Sequence, residues 1–496
     1  MSVSGVGAIS ASMMQSILDM RKQLDSLEQQ LGTGMKSDTY SGLGLSAGLT
    51  VGLNAQLAAI TNFTSTINTV GTRVSIAQTA LDQMTSFGTD VQNAVSQNGY
   101  TLDSNGQTTA QNTALSDLGS FLGLLNTQVG NRYIFSGNAA DQPSVDTMDH
   151  ILNGNGAQAG LKQVIDERNQ ADLGDGLGRL QLTQPATNEV DLSEDVAGSP
   201  FGFKLAGVNS SLTGATVTGP SGSPQTVSVT LGSNPNPGDT IQYQFTLPDG
   251  TSENITLKAT TDNPPGPNQF TIGATPDDTA DNLKAALDTS VRTLASTALS
   301  AASAVEASNN FFDNPPQRVS GSPLSSATAL VNGTSADTVM WYTGGTTTGS
   351  IRSTATAQID QSITVSYGTQ ANEQGIRWVL QNIATLAAVT YSPSDPNASA
   401  AISALDNRVN ANLGVPAGTQ SIQDIETDLA GAQSSMKSAT SRQQQTTNTL
   451  TNLLQNITTV PQEQVGAQIL AMQTSLSASL QVTAMLSKIS LVNYLS

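Results

Sequence analysis

Residues 13–31 read Met-Met-Gln-Ser-Ile-Leu-Asp-Met-Arg-Lys-Gln-Leu-Asp-Ser-Leu-Glu-Gln-Gln-Leu. Within this stretch Met13, Ile17, Met20, Leu24, Leu27 and Leu31 step by 4, 3, 4, 3 and 4 residues. A spacing near 3.5 is the mark of a helix whose apolar stripe packs along another helix. The pattern recurs at Ile60, Phe63, Ile67, Val70, Val74, Ala77, Leu81 and Met84, and again at Leu115, Leu118, Leu122, Leu125 and Val129. The C-terminal stretch answers with Val465, Ile469, Met472, Leu476 and Leu480, extended by Leu486 and Ile489. Ser, Thr, Gln and Asn fill most positions between the stripes. Both ends of the chain are therefore expected to build long paired helices. An intramolecular bundle without assembly fits the periodicity equally well.

The middle reads differently. Residues 32–48 form a Gly/Ser-rich connector, with Gly32 and Gly34 ending the first helix. Helix returns from Leu49 to about Val95, and again from Thr109 to Val129, as an antiparallel pair. A short β-like run follows at 131–137. Residues 138–200 are rich in Asp, Gly and Asn. Alternation at Thr226–Leu231 and Ile241–Leu247, a Pro248-Asp249-Gly250 turn and a return at Asn254–Lys258 predict a β-hairpin within a β-rich 200–275. Pro276 and the following acids open a helix over Asp277–Leu299. Ile363–Tyr367 reads as a strand and Glu373–Val389 as a helix. From Ser399 a helical pattern runs nearly to the end, with breaks near Gly414-Val415-Pro416 and Pro461. The fold class is mainly α, a long antiparallel helical coiled-coil bundle from both termini with an outward-facing, β-rich α/β insert. The expected divisions are 1–48, 49–137, 138–360, 361–464 and 465–496.

Composition narrows the function. The 496 residues carry 19 basic and 38 acidic side chains, a net charge of −19. Scattered bases in so acidic a chain argue against nucleic acid and against anionic lipid. Charged residues are only 11%, under half of ordinary usage. Cysteine is absent, which excludes disulfides, thiolate catalysis and cysteine metal sites. Apolar runs are interrupted by Ser, Thr or Gln, so no membrane insertion is expected. The first residues lack the basic and apolar regions of a cleaved secretory signal.

The sequence carries no signature of catalysis or metal binding. His150, the single histidine, reads as an exposed loop residue that cannot build a multi-histidine metal site. No Gly-x-Ser-x-Gly elbow or phosphate-binding glycine loop is present. Asp172 and Asp175 lie in a glycine-rich acidic loop without calcium-loop spacing. Asp277 and Asp278 suit a helix N-terminus. Trp378 is expected in the core, and Trp341-Tyr342 either in the core or exposed. No catalytic, cofactor or metal residue is assigned. The residues expected to matter are those of the apolar stripes.

Four stretches carry a resemblance. They are Leu31-Gly32-Thr33-Gly34-Met35-Lys36, Asn131-Arg132-Tyr133-Ile134-Phe135-Ser136-Gly137, Val365-Ser366-Tyr367-Gly368-Thr369-Gln370-Ala371-Asn372-Glu373, and Ser487-Lys488-Ile489-Ser490-Leu491-Val492-Asn493-Tyr494-Leu495. Over about 1–137 and 360–496 the chain resembles the bacterial flagellin superfamily, which includes filament flagellins and hook-associated protein 3. The insert is similar to those of alphaproteobacterial flagellin-like proteins. Where many relatives carry Asp-Asp, this chain has Ser41-Gly42-Leu43-Gly44. The Arg-Tyr-Ile-Phe-Ser-Gly stretch and the C-terminal run are closer to the junction protein, while length and insert are closer to flagellin. The resemblance implies a non-enzymatic subunit of the extracellular flagellum. It implies assembly with itself and other axial proteins, packing through Met13, Ile17, Met20, Leu24, Leu27, Leu31, Ile469, Met472, Leu476, Leu480, Leu486 and Ile489. It also implies uncleaved passage through the flagellar export apparatus with a secretion chaperone. The terminal helices are expected to order fully only on assembly. A surface adhesin or glycan-binding insert is the alternative.

Overall fold

The computed structural model describes the backbone of residues 3–97, 99–414 and 418–495; side chains at 3–10, 487 and 489–495 lie outside the described set. The helices in chain order are α1 (Val3–Thr33), α2 (Ala47–Val95), α3 (Thr109–Leu125), α4 (Met148–Asn153), α5 (Leu161–Leu173) and α6 (Pro276–Leu294). There follow α7 (Ser300–Phe311), α8 (Gln374–Ala388), α9 (Ala398–Leu413), α10 (Ile422–Thr458) and α11 (Gln462–Leu495). The strands are β1 (Leu180–Thr183), β2 (Glu189–Glu194), β3 (Lys204–Ser210), β4 (Ala215–Ser221), β5 (Thr226–Leu231) and β6 (Thr240–Thr246). The rest are β7 (Ser252–Thr260), β8 (Gln269–Thr271), β9 (Gln317–Ser320), β10 (Ala329–Asn332), β11 (Thr356–Asp360) and β12 (Ile363–Ser366). The chain is mainly helical at both ends and holds its β structure in the middle. It divides into two compact units: residues 1–71, 357–365 and 433–496, and residues 72–356 and 366–432.

In the first unit α1 packs on α11 with opposite chain direction: Met13 meets Thr483, while Met35 bridges to Thr459. The β11–β12 hairpin is held on α10, where Gln443 Nε2 donates to the Ile359 carbonyl at 2.6 Å and Arg442 pairs with Asp360 at 3.2 Å. Thr64 of α2 donates to the Gln443 amide oxygen at 3.1 Å. The stripe of α2 supplies buried Leu53, Ile67 and Val70 to this unit. Pro461 does more than kink a helix. The chain leaves helical geometry between Thr458 and Gln462, and the freed Val460 N–H donates to the Gly34 carbonyl at 3.0 Å.

The second unit holds a β-rich core. One sheet runs β1-β2-β5-β4 and another β3-β6-β7-β8, antiparallel except for the β7–β8 pair. The expected hairpin is present, with Thr246 opposite Ser252 and Ile241 opposite Leu257. Alternate residues of β2, β5 and β6 point inward, as the two-residue period of a strand requires. Val190, Val229, Tyr243 and Phe245 share one core with Leu283, Leu287 and Val291 of α6. That helix starts at a capping box: Thr275 Oγ1 accepts from Asp278 N–H while the Asp278 carboxylate accepts from Thr275 N–H at 3.0 Å. Asp278 thus serves the helix start, as its position implied.

Several expectations change here. The helix begun at Pro276 passes through a π turn at Ala295–Leu299 and continues as α7 to Phe311. The segment 138–200, read from the sequence only as rich in Asp, Gly and Asn, holds α4, α5, β1 and β2. In α5 the buried stripe includes Arg168 and Asp172, so charge concealed its amphipathic period. Asp172 is no solvated loop acid. It is buried, 2.8 Å from Arg168 Nε, and accepts from Gly202 N–H at 2.9 Å. His150 belongs to α4, where its Nδ1 lies 2.9 Å from Asp146 Oδ1. Trp341 is in the core and donates to the Phe312 carbonyl at 3.1 Å. Trp378 is only half-buried, because its indole N–H reaches out to the Asn412 carbonyl at 2.6 Å.

Candidate assembly surface

The α1–α11 seam brings most of the expected stripe residues together. Ile17 and Ile469 are buried, at 5% and 8% exposure. Met13, Met20, Leu24, Leu27, Met472 and Leu476 are half-buried. Leu31, Leu480 and Leu486 are exposed, and the Ile489 side chain lies outside the described set. After Leu476 the α11 stripe turns through half-buried Ser479 and Thr483, with Leu480 beside it. Two helices can each bury only one stripe against the other, which is why so few seam residues are fully covered. A groove of about 540 Å³ remains between them, lined by Leu27 and Gln30 of α1 and Ala471 and Met472 of α11.

Beyond the seam the first unit exposes many large apolar side chains. Leu470 and Met485 are 67% and 62% exposed. Met14, Leu18, Leu49, Val51, Leu453 and Val482 are also exposed. Stripe reasoning missed them, because at helical pitch Leu470 and Met485 fall on the face away from Ile469 and Met472. The signal that finds them is charge. No charged residue occurs between Asp38 and Arg73, nor between Glu463 and Lys488. The expectation that no helix suits a membrane is corrected on the same ground. Within two helical stretches, Tyr40–Val95 and Gln462–Leu486, an 18-residue window reaches a mean hydropathy of 1.4 and 1.2 respectively. Ser, Thr and Gln interrupt their apolar runs without offsetting so much Ala, Leu, Ile and Val. Only 11% and 6% of those windows are buried. A helix apolar on all sides requires cover on all sides, from lipid or from other helices.

Three of the four resemblance stretches are knitted in place. In the first unit, Lys36 N–H donates to the Thr458 carbonyl at 2.7 Å and Lys36 Nζ to the Asn456 carbonyl at 2.8 Å. In the second unit, residues 131–137 form no strand of their own. They make isolated bridges, Gln128 with Tyr133 and Ser136 with Gln370. Ala371 N–H donates to the Phe135 carbonyl at 2.9 Å and Gly137 N–H to the Thr369 carbonyl at 3.1 Å. Gly137 has φ +61°, and a Cβ there would stand 2.6 Å from Gln370 Nε2. Glu373 closes this junction, buried beside Arg352. Burial pushes its carboxyl up, against the opposing pull of Arg352 and the Gln370 N–H.

Among the described residues no group of three or more His, Asp or Glu is placed to hold a metal ion. Residues 7–140, which span α1 to α3 and the 131–137 stretch, match the bacterial flagellin N-terminal helical region. This match over the N-terminal region supports membership of the bacterial flagellin superfamily. No curated protein matches it. The flagellin family is structural rather than enzymatic, and its members assemble with themselves and with other axial components of the extracellular flagellum.

Proposed function

We propose that this flagellin-superfamily chain is a structural subunit of the flagellar axis, polymerising through its N- and C-terminal helices in support of motility. One observation carries the reading: the uncharged faces of α2 and α11, with Leu470 and Met485 almost bare, need apolar cover that a single chain does not supply. In this reading residues 1–48 and 465–496 form an inner tube of coiled-coil helices. Residues 49–137 and 361–464 surround it, and 138–360 faces outward. The packing positions are those of the α1 and α11 stripes, Ile489 included. The hook–filament junction reading rests on the Arg132–Gly137 stretch, and the filament reading on the large insert. Export proceeds through the flagellar apparatus with a chaperone. The well-packed β core of the insert also suits an adhesive or glycan-binding role. Deleting about 140–355 separates the two: assembly retained with surface binding lost assigns binding to the insert.

The test is electron microscopy of concentrated protein, with and without preformed filament seeds. Long filaments of this protein alone identify a filament subunit. Binding confined to hook or filament ends identifies a junction protein. Monomers that neither elongate nor cap contradict both.

A further inference from the structure

The chain has eleven arginines. Eight of them, from Arg168 to Arg442, stand within 4.0 Å of a carboxylate. Among the described residues Arg21, Arg73 and Arg132 have no such partner. Two of these three, Arg73 and Arg132, line one cleft of the second unit. Its walls are Tyr133, Tyr367 and Thr369, from the two resemblance stretches, and no carboxylate lines it. Arg73 Nε is buried without a hydrogen-bond partner. Its Nη1 reaches only the Tyr367 hydroxyl, at 3.4 Å. Arg132 is exposed at the rim. In a chain of net charge −19 that pairs nearly every other arginine, two unpaired guanidinium groups on one cleft are an unmet demand for an anion.

Size decides what kind of anion. The cleft has about 30 Å³ of space open to a water-sized molecule, against the roughly 10–15 Å³ that a single water needs on that measure. A nucleotide or a sugar does not enter. The head of an Asp or Glu side chain does, and a planar carboxylate matches the guanidinium fork. The chain offers such groups in excess: Asp25 and Glu28 of α1 are exposed and, among the described residues, form no ion pair. We infer that Arg73 and Arg132 form a socket for a carboxylate of a neighbouring copy of this chain in the assembled structure. This rests on the assembly reading above and adds to it a polar contact that sets register, a part the uncharged helix faces cannot play.

The experiment compares seeded elongation, or end-capping, by full-length wild type, Arg132→Gln and Arg73→Gln across a range of salt. The expected result is a critical concentration raised at least about tenfold in each variant, as loss of an interface charge pair produces. The variants should also lose most of the wild-type salt sensitivity, with melting temperatures near wild type for Arg132→Gln. If Arg73→Gln fails to fold, Arg132→Lys keeps the test open. A carbodiimide joins a primary amine to a carboxylate in contact, so in Arg132→Lys the new lysine should crosslink between copies in assembled material and not in monomer. Wild-type assembly with unchanged variants, or no crosslink between copies at position 132, overturns the socket and leaves the assembly reading standing. Wild type that neither elongates nor caps overturns both.

Discussion

Thr483 Oγ1 lies 4.0 Å from Met13 Sδ, across the contact of two helices 470 residues apart in sequence. That pairing fixes the phase of α11. The stripe facing α1 passes through Ser479 and Thr483, and Leu480 stands beside it, 45% exposed. The chain's own fold therefore leaves Leu480 free for packing between subunits. We expect Leu480→Asp to leave the monomer's melting temperature within about 2 °C of wild type, in keeping with the small effect of surface changes, and to spare secretion. Polymerisation should be lost, because a carboxylate would be buried in an apolar contact. Normal filaments or junctions from this variant, by electron microscopy, would contradict the assignment.

Ile17 and Ile469 test the other side of the same seam. Both are buried within a single chain. Truncating a buried Ile to Ala costs about 2–5 kcal/mol in a full core, and a two-helix seam should give the lower end. Ile17→Ala and Ile469→Ala should thus destabilise the first unit before assembly begins. Amide hydrogen exchange of α1 and α11 in the monomer would show faster opening in both helices, since each loses its partner's cover. Unchanged protection in the partner helix would argue against the seam.

The terminal ladders were legible because their period is maintained by Leu, Ile and Met against a polar background. The hairpin at Thr240–Thr260 was legible through strict alternation and the Pro248-Asp249-Gly250 turn. What escaped had a physical reason in each case. In α5 the buried face contains Arg168 and Asp172, which satisfy each other inside and so read as solvent-facing. The α6–α7 helix outran its expected end because Ala301, Ala302, Ala304 and Ala307 are buried without bulky side chains to mark a stripe. The bare faces of α2 and α11 escaped because stripe reasoning asks where apolar residues recur, and not where charge is missing. The Arg73–Arg132 cleft needs residues 131–137 and 366–373 side by side, a pairing no local pattern encodes.

Gly137 tests that pairing. Its φ of +61° lies where side chains are strained, and a Cβ would press on the Gln370 amide and the Gly345 carbonyl. Gly137→Ala should cost about 1–3 kcal/mol, from backbone conformation and the displaced contact together. Chemical denaturation of the full chain checks this. Gly198→Ala is a control: the position has a similar φ of +72° but nothing within 4 Å. It should cost less, and equal losses at the two sites would mean the 131–137 contact contributes nothing.

Acid groups in the second unit give a pH dependence of defined sign. Burial first, and Asp82 second, push Glu426 up to about 7; burial alone pushes Asp406 up to about 6. Both values lie above those of the unfolded chain, near 4 for each residue type. Between about pH 4 and 7 the folded protein therefore holds protons that the unfolded chain has released, so stability falls as pH rises through this window and levels off above it. Asp103, Asp239, Asp337 and Asp424 are shifted down by hydrogen bonds, and they act with opposite sign only below about pH 4. Denaturation midpoints measured from pH 4.5 to 8 should decline and then flatten. Glu426→Gln should shrink the decline above pH 6, and Asp406→Asn the part below it, because each replaces a proton-binding carboxyl by a permanently neutral amide. A midpoint that rises steadily from pH 4.5 to 7 in the wild type, or a slope unchanged in both variants, would show that these two carboxyls do not govern the stability of the second unit.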